Sequence, residues 1–288
     1  MKFKLLTLNA HSVRGEDADR SISELCEFFL SERPDVVALQ EADQTRSAET
    51  VDLCKLGDCY KEVVCPAPVP LKNDNFALLL SWELARRGQS YYFCWLPVKL
   101  GYGRLDEGLA FLSKRPMESV FGYYISKRRD YCDWKTRMAL IMRLKGSDIT
   151  FCNLHTSRYD DPDEPFADQW ERLCGCIPNR ERAVIMGDLN CPAEKRGEGY
   201  DAVCKSGYID VYRLADLREG ESATVSGDID GWRDGELSGG GRIDYILTGF
   251  YPKAEKICYR RVFDGERGAV VSDHFGVSVI FEGSELDF

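Results

Sequence analysis

The chain is punctuated by short apolar runs of strand length, and most of them end in side chains that can do chemistry. Its three histidines, His11, His155 and His274, each stand one to three residues beyond such a run: Phe3–Leu8, Ile149–Leu154 and Ala269–Val271. Two more runs deliver polar groups in the same way. Asp35–Leu39 leads into Gln40 and Glu41, and Ala183–Met186 leads into Gly187, Asp188, Leu189 and Asn190. A further run, Arg242–Leu247, carries Asp244 within it. Runs this short, bounded by turn formers, fit buried strands. Polar groups gathered at their ends imply strands that feed a shared mouth, as an enzyme site requires.

Helical spacing governs stretches between the strands. Ile22–Leu30 repeats apolar residues at helical intervals, with Ser21 as the expected N-cap and Pro34 as the stop. Asn75–Arg87 forms a second helix ending at Gly88, and Glu164–Cys176 a third. Leu109–Leu112, Met138–Leu144 and Val277–Phe281 add strands, and Lys145–Asp148 supplies a tight turn. No Pro/Gly/Ser-rich linker and no repeat divides the 288 residues, and 44% hydrophobic content suffices for a sizeable core. The expectation is one α/β domain over residues 1–288, two packed sheets flanked by helices.

Lys and Arg total 38 against 48 Asp and Glu, a formal net charge of −10. Such a surface repels a nucleic-acid polyanion and makes a small substrate the better expectation. Twelve cysteines include no CxxC pair, and the opening residues have no apolar stretch of signal-peptide length. The thiols are therefore expected to be reduced small hydrophobes in a cytoplasmic chain, with no membrane span and no evident obligate protein partner. A zinc cluster is the weaker alternative.

Glu41, Asp188, Asn190, Asp273 and Asn9 are hard oxygen donors of the type that suits Mg²⁺ or Mn²⁺. His274 can act as a base, and Asp244 is available to fix its tautomer. Arg137 can fork onto phosphate oxygens. Together these residues specify hydrolysis of a phosphate ester.

The segments Leu8-Asn9, Leu39–Glu41, Glu107–Ser113, Asn153–His155, Met186–Asn190, Arg242–Tyr245 and Ser272–Phe275 resemble, in this order, the endonuclease/exonuclease/phosphatase superfamily. That resemblance implies the DNase I-like fold, a four-layer αββα sandwich of two mixed sheets between helices. It also implies Glu41 as the principal Mg²⁺ ligand, with Asn9 and Asp273 beside it and Mn²⁺ as a substitute. Asp188 would position or deprotonate the attacking water, Asn190 would bond the phosphoryl oxygen or the nucleophile, and His274, oriented by Asp244, would act as base or stabilise charge. His155 paired with Glu107 would contact phosphate, as would Arg137. His11 departs from the pattern.

Outside these shared motifs, Asn73–Leu80, Gly101–Gly103, Asp130–Arg137, Asp230–Asp234 and Val262–Gly265 are similar to the bacterial maltose 6'-phosphate phosphatase branch. The implied substrate is a small sugar phosphate, with Trp232, Trp134, Tyr102 and Asn75 as candidate contacts. The alternative is a Mg²⁺-dependent nuclease on DNA, with Lys127–Arg129 or Arg86-Arg87 as a basic rim; a catalytically dead binding module is a third reading. Plainer readings also compete: His155 or His11 as a core histidine, Arg137 in a surface ion pair, Asn75 as a helix cap, and Gly239–Gly241 as a flexible loop.

Overall fold

The computed structural model describes residues 1–12, 18–227, 229, 232, 237 and 239–284. Asp230, Gly231, Arg233 and Asp234, singled out in the sequence, lie outside the described residues. In chain order the first half contains β1 (Lys2–Asn9), α1 (Ala18–Glu32), β2 (Val36–Gln40), β3 (Gln44–Thr45), α2 (Phe76–Arg86), β4 (Tyr92–Gly101), β5 (Leu105–Ser113) and β6 (Met117–Tyr124). It continues with β7 (Met138–Leu144), β8 (Thr150–His155), α3 (Phe166–Cys176), β9 (Ala183–Asp188), α4 (Gly199–Lys205), β10 (Ile209–Asp210) and α5 (Val211–Leu214). Four strands close it: β11 (Leu217–Glu219), β12 (Asp244–Thr248), β13 (Lys256–Val262) and β14 (Gly276–Glu282).

The strands form two mixed sheets. One runs β11-β13-β14-β1-β2-β5-β3, with β4 also on β5; the other runs β10-β12-β9-β8-β7-β6. Side chains alternate along each strand, so the central strands serve two cores. On β1, Leu5 enters the core between the sheets while Leu6 and Leu8 face Ile22, Leu25 and Phe29 of α1 and Leu80 and Leu84 of α2. On β9, Val184 and Met186 enter the same central core, and Ile185 packs with Trp170 and Leu173 of α3 on the far side. The result is the expected helix–sheet–sheet–helix layering.

The central face turns polar toward one end of the sandwich. Continuing the alternation from Leu5, Ala38, Leu109, Phe151, Met186 and Ile246 leads to Asn9, Gln40, Glu107, Asn153 with His155, Asp188 and Asp244. The sheets are joined there by a dry amide staple. Asn153 Nδ2 donates to the backbone oxygens of Leu39 (2.9 Å) and Ala110 (2.8 Å), and its Oδ1 accepts from Gln40 Nε2 at 2.7 Å. Replacing Asn153 with Ala strands these buried partners, so Asn153→Ala is expected to lower unfolding free energy by about 3 kcal/mol. An unchanged urea midpoint would refute that.

Three local expectations need correction. Ala269–Val271 is not a strand: it follows Gly268 (φ +103°), Val270 is 54% exposed, and the run reaches β14 as an irregular loop. Three apolar residues are too few to hold a ladder on their own. Ser21 is not a cap, because α1 begins at Ala18; its hydroxyl instead donates to the Val271 oxygen at 3.2 Å. The third helix begins at Phe166, two residues after Glu164. Asn75 does cap α2, accepting from Leu78 N at 3.1 Å.

Candidate active site

Neighbouring strands place the polar groups in register. In one sheet His155, Asp188 and Asp244 stand side by side on β8, β9 and β12; in the other Asn9 is paired with Gln40, directly before Glu41. Asn9 Nδ2 links the two sheets' carboxylates, donating to Glu41 Oε1 at 3.1 Å and Asp188 Oδ2 at 3.3 Å. Its Oδ1 is turned away and accepts from His11 N at 3.2 Å. Ligation through the Asn9 oxygen would therefore require the amide to rotate by half a turn.

The chain bends sharply at the residues that matter. His11 (φ +42°), Glu41 (φ +46°), Tyr102 (φ +49°) and Asn190 (φ +47°) all adopt left-handed backbone conformations without being glycine. Such conformations are costly for residues with a Cβ and persist where surrounding contacts enforce them, often at functional sites. For Glu41 the enforcement is visible: Ser12 Oγ donates to its carbonyl at 2.7 Å and accepts from Asp43 N at 2.7 Å. Gly187, before Asp188, is required outright, because a Cβ there would lie 2.1 Å from the Leu154 carbonyl oxygen.

His274 approaches from the loop between β13 and β14. Its Nδ1 is 3.0 Å from Asp244 Oδ2, and its Nε2 is 3.9 Å from Asp188 Oδ2. Burial works against the imidazolium, but Asp244, Asp188 and Asp273 outweigh it and raise the His274 pKa to about 10. Asp188 is pushed up to about 7, first by burial and then by the Asp244 charge, while His274, Asn190 N and Asn9 oppose the rise. Asp188, Asp244 and His274 offer ligand atoms within 4.8 Å of one another, with Asp244 Oδ2 already engaged by the imidazole.

Sequence reasoning missed Thr224. Its Oγ1 accepts from the backbone of Ile243 and Asp244, both at 3.1 Å, and its carbonyl accepts from Phe275 N at 2.7 Å. It thus fixes Asp244 and His274 relative to each other. Thr gave no signal because its role is carried by backbone partners far apart in sequence.

A cleft of about 460 Å³ opens beside this group, lined among others by Glu41, Glu107, His155 and Asn190, and by Lys99, Arg137 and Arg158. His155 Nε2 is 3.7 Å from Asp188 Oδ2 and its Nδ1 is 3.9 Å from Glu107 Oε1. Burial, followed by the Arg137 charge, drives the His155 pKa well below the usual histidine value, so its ring stays neutral. Tyr102 and Trp134, each 63% exposed, stand on the cleft wall. Trp232 Nε1 donates to Asn190 Oδ1 at 3.0 Å, and the Arg158 guanidinium lies 4.4 Å from the centre of its ring. Asp273 joins Glu41 through His11, whose Nδ1 is 3.5 Å from Asp273 Oδ2 and 3.6 Å from Glu41 Oε2. Asn75, by contrast, is fully buried, with its carboxamide committed to the α2 cap and to Gln44, and it does not line the cleft.

Two sheets between helices, with catalytic-type carboxylates and an imidazole at one end, define a class of metal-assisted phosphoesterases. The family model for the endonuclease/exonuclease/phosphatase family matches residues 6–274, and the chain belongs to that family. Among solved structures it is similar to a family protein from Leptotrichia buccalis, 22% identical, with a TM-score of 0.81 over 99% of this chain and 100% of that one. It is also similar to a mannosyl-6-phosphatase from Bacteroides thetaiotaomicron (16% identical, TM-score 0.60, 99% and 100% covered). A third is truncated TDP2 from Caenorhabditis elegans (15% identical, TM-score 0.61, 98% of each chain). The comparison with curated proteins gave no match. Members of this family are hydrolases that generally depend on a divalent metal. Among the described residues, no helix is long and apolar enough to cross a membrane.

Proposed function

We propose that this protein is a Mg²⁺-dependent phosphomonoesterase acting on a phosphorylated sugar, of the maltose 6'-phosphate type, by attack of an activated water. The observation that carries the reading is the cleft itself. Carboxylates, the Asn190 amide and buried cations line it together, and exposed aromatic rings stand on its wall. A terminal phosphate can enter such a pocket while a sugar rests against Tyr102 and Trp134.

Glu41 and Asp273 offer the hard oxygen donors that Mg²⁺ or Mn²⁺ takes, with Asn9 able to join after its amide turns. A divalent cation held there would supply Lewis-acid neutralisation of phosphoryl charge. Asp188 orients the water and accepts its proton; Asn190, tied to Asp188 by its backbone N–H at 2.8 Å, bonds the substrate oxygen. His274, held by Asp244, presents Nε2 to the developing negative charge. His155 and Arg137 bind phosphate oxygens, Glu107 stands beside His155 with its Oε1 3.9 Å from Nδ1, and Trp232 positions Asn190.

Of the basic runs that a nuclease rim would need, Arg86, Arg87 and Arg128 are held in local ion pairs. Arg86 and Arg87 bridge to Glu83, with Arg87 also on Glu27, and Arg128 bridges to Asp133. With a net charge of −10, this favours a small substrate over DNA. The test is phosphate release from a panel of sugar phosphates, with Mg²⁺ and with EDTA, beside plain and abasic duplex DNA. Chelator-sensitive release from a phosphorylated disaccharide with intact DNA is expected; nicked DNA with inert sugar phosphates would overturn the substrate.

A further inference from the structure

One cleft residue has no place in the mechanism above and gave no signal in the sequence. Lys99 is only 6% exposed, yet it lies on β4 among apolar residues. Cys94, Leu96 and Val98 of that strand face the core between the sheets, and Phe93 and Trp95 face the outer core with the helices. Simple alternation would send Lys99 outward with Trp95. The ladder with β5 slips, however: Pro97 pairs with Gly108 and Lys99 with Glu107, leaving Val98 as an extra residue. A bulge of this kind reverses the parity of everything beyond it. Pro97, which has no N–H for a ladder, is suited to such a break. Lys99 is thereby delivered to the inward face beside Glu107, where its Nζ lies 3.0 Å from Glu107 Oε1 and lines the cleft.

Arg137 lines the same cleft and is 8% exposed. Its Nη1 donates to the backbone oxygens of Trp134 (2.9 Å) and Thr136 (3.2 Å), its buried Nε has no hydrogen-bond partner, and no carboxylate pairs with it among the described residues. Two buried cations thus share one cleft, where Glu107 pairs with Lys99 while Arg137 has no ion-pair partner among the described residues; Glu41 and Asp161 also line it. A buried cation without enough counter-charge is costly, and an anion entering the cleft relieves that cost.

We propose that Lys99, acting with Arg137, makes this cleft select the doubly charged terminal phosphate of a monoester over the singly charged phosphate of a diester. The assignment rests on the phosphomonoesterase reading and names the groups that enforce it. A second fixed cation gains most from the second negative charge, which a diester lacks. Specificity is thus set by a lysine that a strand irregularity turns inward.

The test compares 4-nitrophenyl phosphate with bis(4-nitrophenyl) phosphate on the full chain with Mg²⁺, using inorganic phosphate as a competitive inhibitor. In Lys99→Gln, phosphate inhibition and monoester kcat/KM are each expected to weaken by about 10- to 100-fold, mainly through KM, the range for losing one charge-assisted hydrogen bond. The diester should lose markedly less. Lys99→Met, which keeps the buried stem and removes the charge, should give the same pattern, and Lys99→Arg should restore much of the phosphate inhibition. Equal losses on both esters, or unchanged phosphate inhibition, would overturn the role of Lys99. Wild-type protein that cleaves the diester and not the monoester would instead overturn the phosphomonoesterase reading.

Discussion

Replacing His274 with Ala is expected to lower kcat by about 10⁴-fold, equivalent to roughly 5.5 kcal/mol of transition-state stabilisation. Nε2 of this ring faces Asp188 at 3.9 Å, while Nδ1 is held by Asp244 at 3.0 Å, so the ring is aimed from behind and presented toward the reacting group. The variant also has a structural consequence. Asp244 is fully buried and, among the described residues, its Oδ1 has no hydrogen-bond partner and the imidazole is the one partner of Oδ2, which removing the ring takes away. Leaving a buried carboxylate unpaired costs about 3 kcal/mol or more, so His274→Ala should also lower the unfolding midpoint. The two effects separate with His274→Gln, whose amide can still donate toward Asp244. It should recover part of the stability and little of the turnover. Asp244→Asn should cost about 100- to 1000-fold, because the ring loses its charged anchor but remains in place. The checks are single-turnover phosphate release and thermal unfolding on each variant. Near-native turnover by His274→Ala would remove His274 from the chemistry.

The layering was legible because short apolar runs of strand length alternate with runs of helical period, and the chain order of polar strand ends matched a family pattern. The central strands β1, β2, β8, β9 and β12 all lie where their apolar residues indicated. Legibility failed where tertiary contacts decide the matter. Ala269–Val271 reads as a strand by composition, yet Asp264 folds the preceding segment back by accepting from Arg267 N at 2.8 Å and binding the Arg261 and Arg267 guanidinium groups. Ser21 reads as a cap because Ile22 opens the apolar repeat, but the polar turn Ala18–Arg20 is also helical. In the site, the ends of strands could be named from sequence because acid, amide and imidazole stand out against apolar runs. Lys99 could not. A charged residue inside a strand reads as solvent-facing, and only the slipped register with Glu107 turns it inward. Asn75 was ambiguous between cap and ligand, and its buried carboxamide is occupied by Leu78 N and Gln44.

Replacing Glu41 with Gln is expected to separate metal binding from stability, with opposite signs. Glu41 is 9% exposed at the end of β2, bridged to Asp188 by Asn9 and flanked by His11 and, beyond it, Asp273. Without a cation, this gathers carboxylates in a poorly solvated place where their charges repel. Glu41→Gln removes one of those charges while keeping the shape, so the metal-free variant should unfold at the same temperature as the wild type or higher. In the wild type, Mg²⁺ should raise the unfolding temperature with concentration, because it binds the folded chain and not the unfolded one. In the variant that increment should nearly vanish, with metal affinity weakened by about 100-fold or more and turnover by about 10³-fold or more, since an amide oxygen is a poor substitute for a carboxylate. Thermal unfolding across a Mg²⁺ titration and calorimetry with Mn²⁺ read binding without reference to activity. A Glu41→Gln protein that keeps the wild-type Mg²⁺ increment would place the metal elsewhere, with the Asp188, Asp244 and His274 group the next constellation to examine. A variant that loses both the increment and its metal-free stability would show that Glu41 holds the fold together and not the cation. The predicted pattern, gained or unchanged metal-free stability with lost metal response, is the signature of a residue kept for function at the expense of the resting protein.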